Sequence, residues 1–581
     1  MLEISYTNNV RTARSRDPRA GHVHERNTTT VTTILFHGGT IWRGAGNATS
    51  SVAFVRDGRI EALDADAERL AEAAERAGEP IEGVDLEGGF LMPSFGDGHA
   101  HPLFGGLEAE GPNVGAGTTI DEIVAEVRRY AEANPDREWI LGASYDGSLS
   151  EGGLFDARWL DEAVSDRPVV LRAWDYHTVW CNSKALELAG IDASTPDPAL
   201  GEICRREDGS PLGTLREWGA VELVMDIATE RPIDERLRAV DTFADYYLSR
   251  GVTWVQDAWI EPGELEIYLE AARTDRLRMR TNLAFYADPR KIGEQLAWFD
   301  QARAQVTDAA SPLLTANTVK FFADGVVENE TGALLEPYCS ALHKHGMSVW
   351  GAEALAEAVR AVDAAGFQVH IHAIGDRAVR ESLDAIESAI EQNPAWDRRP
   401  VIAHAQLVDD ADLGRFAKLG VVPNMQPLWA QLDALMTVLT VPRLGAERSD
   451  RQYRMRSIEA SGAPLAFGSD WPVSSGDPRD GIAIATTRRT VDGDPEGGWT
   501  PDEILPMELS LDAYSTGVAH QAFADQASAP WGVIAPGAAA DLVWFAADPR
   551  SIEPAEFPKL AIRATYLAGA EVYRGELVAT A

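Results

Sequence analysis

Lysine is nearly missing from this chain. Among 581 residues only Lys184, Lys291, Lys320, Lys344, Lys418 and Lys559 are lysine, so most of the 52 basic residues are arginine. Cysteine is scarcer still, with Cys181, Cys204 and Cys339 and no CxxC. Three thiols cannot all pair, which argues against a disulfide framework and for a cytoplasmic location. No run of about 18 uncharged apolar residues occurs, which excludes a membrane-spanning helix. Positive charge is also in deficit: 91 acids face 52 bases, for a net charge of −39. Nucleic acid would be repelled. The expected partner is a small-molecule substrate, with neither nucleic acid nor membrane. A homodimer is left open, because nothing in the sequence fixes the oligomeric state.

What is present is ordinary in bulk, 45% apolar and 25% charged, as in globular proteins. The acids are spread along the chain rather than gathered in a tail. An acid-rich, lysine-poor surface resembles that of proteins from halophiles, whose molar cytosolic salt blunts self-repulsion. A merely acidic soluble enzyme is the plainer reading. Residues 1–30 are polar and carry Arg11, Arg14, Arg16, Arg19 and Arg26 without an apolar core. They read as a disordered tail, or as a start codon placed too early, and not as a secretory signal.

Short β-type runs fill residues 31–90, and residues 528–581 echo them with Asp541-Leu-Val-Trp-Phe, Ala561-Ile-Arg-Ala-Thr-Tyr and Glu571-Val-Tyr. Two β-rich ends predict one small β domain assembled from both termini. Between them, residues 91–527 alternate strand-like and helical runs, the signature of βα units. Eight candidate strands are read: Phe90–Pro93 onward, Val252–Gln256, Arg280–Phe285, Val319–Phe322, Gln368–His372, Pro400–His404, Val421–Met425 and Pro464–Phe467. The fold class is therefore α/β, a TIM-like (β/α)8 barrel. The gap between the first two strands is too long for one crossover, so residues 136–225 are read as an insertion over the barrel mouth.

Five histidine and aspartate positions stand at strand ends. His99-Ala-His101 puts two imidazoles on one face of a strand. His372, His404 and Asp470 each close an apolar run, at the rim where barrel chemistry collects. Lys320, in Thr318-Val-Lys-Phe-Phe-Ala-Asp-Gly, is a rare lysine inside an apolar strand. Either it reaches out to the rim, or burial lowers its pKa. A neutral amine can add CO2, and the resulting carbamate can bridge two cations about 3.5–4 Å apart.

These motifs resemble the amidohydrolase superfamily, specifically the YtcJ-like branch of amidohydrolase family 3, which includes enzymes similar to N-substituted formamide deformylase. The resemblance spans roughly residues 33–581 and implies a barrel with a composite β-sandwich, here residues 31–90 with 528–581. It rests on Gly96-Asp-Gly-His-Ala-His-Pro, Val319-Lys-Phe-Phe-Ala-Asp-Gly, His372-Ala-Ile-Gly-Asp-Arg-Ala, Ala403-His-Ala-Gln and Gly468-Ser-Asp-Trp-Pro. Asp175-Tyr-His-Thr-Val-Trp-Cys-Asn-Ser-Lys-Ala-Leu matches the branch too, except that Tyr176 stands where glycine is common. The resemblance implies that His99, His101 and Asp470 bind a first divalent metal. It implies Lys320 as a bridging carbamate, and His372 and His404 as ligands of a second metal. Zinc suits this nitrogen-rich set, though ligand type alone leaves manganese, iron and nickel open.

The implied reaction is hydrolysis of an amide-type C–N bond by metal-activated water. Asp470 would carry the proton, and His177 would hydrogen-bond the substrate carbonyl from the insertion. A packed histidine in an aromatic cluster is the other reading of His177. His370 faces the same side as His372 but one layer deeper. His343 and His345 read as loop histidines, and His22 and His24 lie in the tail. A mononuclear deaminase of the same superfamily is a rival, but it would need glutamate three residues after His372, where Gly375 stands. A non-catalytic binding protein on this fold is another, though such relatives lose ligands and none is missing here. Trp174, Tyr176, Trp180, Trp429 and Trp471 suggest an aromatic pocket.

Overall fold

The computed structural model describes residues 33–229 and 231–575; the expected tail over 1–30 lies outside the described residues. Eight parallel strands form its centre: β1 Phe95–Ala100, β2 Val252–Ile260, β3 Arg280–Tyr286, β4 Leu314–Phe322, β5 Gln368–Ala373, β6 Val401–His404, β7 Val422–Met425 and β8 Ala466–Phe467. They pair in chain order from β1 to β8. Just past β8 the backbone closes the ring. Asp470 N–H donates to the His99 carbonyl at 2.7 Å, and His101 N–H donates to the Trp471 carbonyl at 2.7 Å. The fold is a (β/α)8 barrel, as the alternation of runs predicts. Strands β1 and β5 are buried at every position, because helices cover a parallel sheet on its outer side.

The apolar run from Phe90 reads as one strand but is two. Phe90–Pro93 pairs with Thr40–Ile41 and with Leu542–Phe545, in a five-stranded sheet completed by Ile562–Leu567 and Ala570–Arg574. The chain changes sheets at Ser94, whose N–H donates to the Asp541 carbonyl on one side while Phe95 N–H donates to Gly251 on the other. A second sheet joins Thr33–His37, Ala53–Arg56, Arg59–Leu63 and Glu82–Asp85. Phe36, Ile41, Leu91, Trp544 and Tyr566 share one core between the two sheets. This N-terminal stretch also holds a helix, Asp64–Ala77, which a purely β reading omits. Its fully buried stripe is Ala67, Ala71 and Ala74, packed near Phe54, with Leu70 partly buried beside them.

Five strands make the insertion: Ile140–Tyr145, Val169–Ala173, Thr178–Cys181, Glu202–Arg205 and Pro211–Arg216. The expected limits, 136–225, begin too late. Helix Ile120–Ala133 buries Ile123, Val124 and Val127 against Ile140, Leu171 and Trp180 of the insertion, together with Val114. An amphipathic stripe shows that a helix is covered, not by which sheet. Among the described residues, no helix is long and apolar enough to cross a membrane.

Candidate metal centre

The parallel register sets the height of each side chain at the rim. Lys320 on β4 is level with His370 on β5, and Phe322 with His372. Ala373 on β5 is level with His404 at the end of β6. The closing backbone bonds bring Asp470 beside His99 and His101. Asp470 Oδ1 lies 3.3 Å from His99 Nε2 and 3.1 Å from His101 Nε2. Lys320 Nζ lies 3.3 Å from the same His99 nitrogen. The His404 ring centre is 4.8 Å from that of His99 and 4.6 Å from that of His372. Both His404 (φ 73°) and Asp470 (φ 58°) have left-handed backbone, a strained conformation common at functional sites.

Secondary contacts decide which ring nitrogens remain free. His404 Nδ1 is 2.8 Å from Gln426 Oε1, and His372 Nε2 is 3.2 Å from the Gly325 carbonyl. Among the described residues this leaves His404 Nε2 and His372 Nδ1 without such partners. His99 Nδ1 meets His370 Nε2 at 2.6 Å, so His370 sits behind His99, deeper in the barrel. Such outer hydrogen bonds commonly orient metal-binding imidazoles. Asp97 ties the two edges of the ring. It accepts from Ser469 N–H at 2.9 Å, from Tyr247 OH at 3.0 Å and from the Ser469 hydroxyl.

The electrostatics are unusual. Lys320 is fully buried, so it does not reach out to the rim. Burial pushes its pKa down to about 7, with the Asp470 charge opposing. Burial also lowers His99, His372 and His404, the last to about 3. Burial alone would raise Asp470, but the His101 and His99 imidazoles set against it hold it well below the usual carboxylate range. A neutral imidazole and an ionised carboxylate are the states that bind metal. Among the described residues, Asp470 Oδ1 and His101 Nδ1 are buried without hydrogen-bond partners, although two imidazole nitrogens crowd that oxygen. His99, His404 and Asp470 each offer a ligand atom within 4.8 Å of the others. Imidazole nitrogens and a carboxylate oxygen converging in this way fit a divalent cation.

Other sequence candidates fall elsewhere. His343 and His345 are exposed. Trp180 packs inside the insertion with Phe155, and Trp471 stacks on Tyr246 at 4.4 Å. Trp429 does reach the site, lying flat on the His404 ring at 5.3 Å. The rest of the aromatic wall is Phe104, stacked on His101 at 5.6 Å, with Trp218, Trp259 and Phe322. His177 comes down from the insertion, with its ring 5.6 Å from His372. Its Nδ1 is 2.8 Å from Glu217 Oε2, a carboxylate with no assigned role in the sequence reading. Burial would lower the His177 pKa, but Glu217 and Asp175 outweigh it and leave the ring above its ordinary value.

A (β/α)8 barrel with this rim is the frame of a metal-dependent hydrolase. The chain belongs to the amidohydrolase family, whose sequence model matches residues 82–573. It is 32% identical over 504 residues to Protein LONG AFTER FAR-RED 3 of Arabidopsis thaliana, covering 84% of this chain and 83% of the plant protein. It is 28% identical over 560 residues to Putative amidohydrolase YtcJ of Bacillus subtilis, covering 93% and 99%. It is 26% identical over 536 residues to N-substituted formamide deformylase of Arthrobacter pascens, covering 90% and 95%.

Proposed function

We propose that this hydrolase cleaves an amide-type C–N bond, with an N-substituted formamide or a related amide as substrate. The observation that carries this reading is the unpaired, buried Asp470 Oδ1 set against the Nε2 atoms of His99 and His101. His99, His101 and Asp470 would hold one divalent ion, zinc by donor type. Lys320 as a carbamate, His372 and His404 would hold a second. The carbamate forms when the neutral Nζ adds CO2, making one N–C bond and releasing one proton. When bound, the metal supplies Lewis acidity and lowers the pKa of its water to about 7. Asp470 accepts the proton of the attacking water and returns it to the leaving nitrogen. His177 donates to the substrate carbonyl oxygen as charge develops there.

The aromatic wall of Phe104, Trp218, Phe322 and Trp429 suits an apolar substituent, and the similarity to a formamide deformylase supports the bond type. Gly375 weighs against the deaminase reading, since a side chain there would meet the Ala333 carbonyl at 1.9 Å. Metal analysis with a panel of N-substituted formamides, acyl amino acids and cyclic amides tests the proposal. Two bound metals and turnover of an amide are expected; a metal-free protein, or turnover of amino-heterocycles alone, overturns it. The cytosol is the proposed compartment, on three unpaired cysteines.

His177→Ala is expected to lower kcat/KM about 10²- to 10³-fold, the usual loss for one oxyanion donor, with metal content unchanged. Loss of metal would make His177 a ligand, and unchanged kinetics would make it packing. A halophilic adaptation is proposed from the net charge of −39. The melting temperature should then rise between about 0.1 M and 1 M KCl, as the screening length falls from about 10 Å to about 3 Å. A melt indifferent to salt refutes that adaptation.

A further inference from the structure

The insertion brings a carboxylate to His177 by a route that sequence distance hides. Strands Thr178–Cys181 and Pro211–Arg216 pair antiparallel with Thr178 opposite Arg216. One step beyond, His177 therefore faces Glu217. Glu217 grips that histidine twice: its N–H donates to the His177 carbonyl at 2.6 Å, and its Oε2 lies 2.8 Å from His177 Nδ1. Its other oxygen accepts from the Thr331 hydroxyl at 2.6 Å. Thr331 belongs to the barrel loop that follows β4, so the carboxylate also docks the insertion onto the barrel. Both members of the pair are buried, His177 at 8% and Glu217 at 2% exposure.

Two local costs are accepted to make this contact. Glu217 has φ 62° and ψ 162°, a region that is essentially reserved for glycine and costs about 1–3 kcal/mol. Gly325 also has no room for a side chain: a Cβ there would stand 2.8 Å from Glu217 Oε1 and 2.3 Å from Thr331 Oγ1. The glycine that ends the β4 motif is thus kept bare by Thr331 of the barrel loop together with Glu217 of the insertion.

We propose that Glu217 is a positioning residue, which holds the His177 imidazole by Nδ1 and so presents Nε2 to the substrate beside the metal centre. An ionised carboxylate can only accept, so Nδ1 must carry the proton. Nε2 has no hydrogen-bond partner among the described residues. This inference rests on the amide-hydrolase reading for its substrate, but not for its geometry.

Glu217→Gln tests it, because glutamine keeps the shape while offering a donor as well as an acceptor. In wild-type protein labelled with ¹⁵N at histidine, the resonance absent from His177→Ala should report a protonated Nδ1. Glu217→Gln should release that state. In kinetics, Glu217→Gln should lower kcat about 10-fold or more with metal content unchanged, and should have no further effect in the His177→Ala background. Glu217→Asp should restore part of kcat. An unchanged Nδ1 signal in Glu217→Gln overturns the inference. So does an equal loss in the His177→Ala background, which would mark a purely structural role. If no amide is turned over at all, the functional reading fails while the NMR arm still decides the role of Glu217.

Discussion

Lys320→Ala should strip one of two metals from the protein and abolish turnover. The expectation follows from what surrounds Nζ. The amine is fully buried, 3.3 Å from His99 Nε2 and 4.7 Å above the Phe322 ring, and the Asp470 charge only partly offsets that burial. Keeping an ammonium ion at such a position costs about 5 kcal/mol, a large fraction of the stability of a domain. Conversion to a carbamate removes the ammonium and supplies a bidentate anion. Lys320→Arg should fail as fully as alanine, because guanidinium stays charged and cannot add CO2. Acetate or propionate added to Lys320→Ala should restore part of the activity and the second metal, by placing two oxygens in the vacated space. Two metals and near-normal rates in Lys320→Arg would leave only a mononuclear site.

The same burial has a consequence for stability, with a definite sign. The folded amine titrates at about 7, against about 10.4 when unfolded. The penalty is therefore fully present below about pH 7 and disappears as pH rises past about 10. In metal-free, CO2-free buffer, Lys320→Met should melt higher than wild type at pH 7, and the gain should shrink towards pH 10. A gain that does not depend on pH would assign the effect to packing instead.

Much of the barrel is legible because its rules are local. Fully buried parallel strands are short apolar runs, and a functional residue placed just after such a run lands at the rim. His99, His404 and Asp470 could be marked in this way, and Lys320 stood out by its apolar neighbours. The sequence could not separate Phe90–Pro93 from Phe95–Ala100, since both are apolar and the switch at Ser94 depends on partners more than 100 residues away, Asp541 and Gly251. Nor could it reveal Glu217, whose closeness to His177 depends on the register of two antiparallel strands. Trp180 and Trp471 show the converse limit: an aromatic residue near a motif packs wherever its strand face points. Helix Asp64–Ala77 was hidden for a third reason, as its buried stripe is made of alanines that look like surface residues in a chain so rich in acid.

Asp470→Asn should lower kcat by about 10²- to 10⁴-fold, the range for removing a positioned proton carrier, while the protein stays folded. Asparagine is chosen because residue 470 sits at φ 58°, where asparagine is better tolerated than most residues. The backbone bond from its N–H to the His99 carbonyl, which helps close the barrel, is kept. What changes is the charge and basicity of Oδ1. In the native protein that oxygen faces the Nε2 atoms of His99 and His101, and the carboxylate is held ionised by them. An amide oxygen there can still approach a cation, but it cannot accept the proton of the attacking water. Metal at the His99 and His101 position should therefore weaken moderately, and turnover should stay low even when the site is saturated with added zinc. This split between occupancy and rate separates a proton carrier from a simple ligand. Full recovery of kcat in excess metal would show that Asp470 only binds, and the proton would then have to pass through His177 or the solvent.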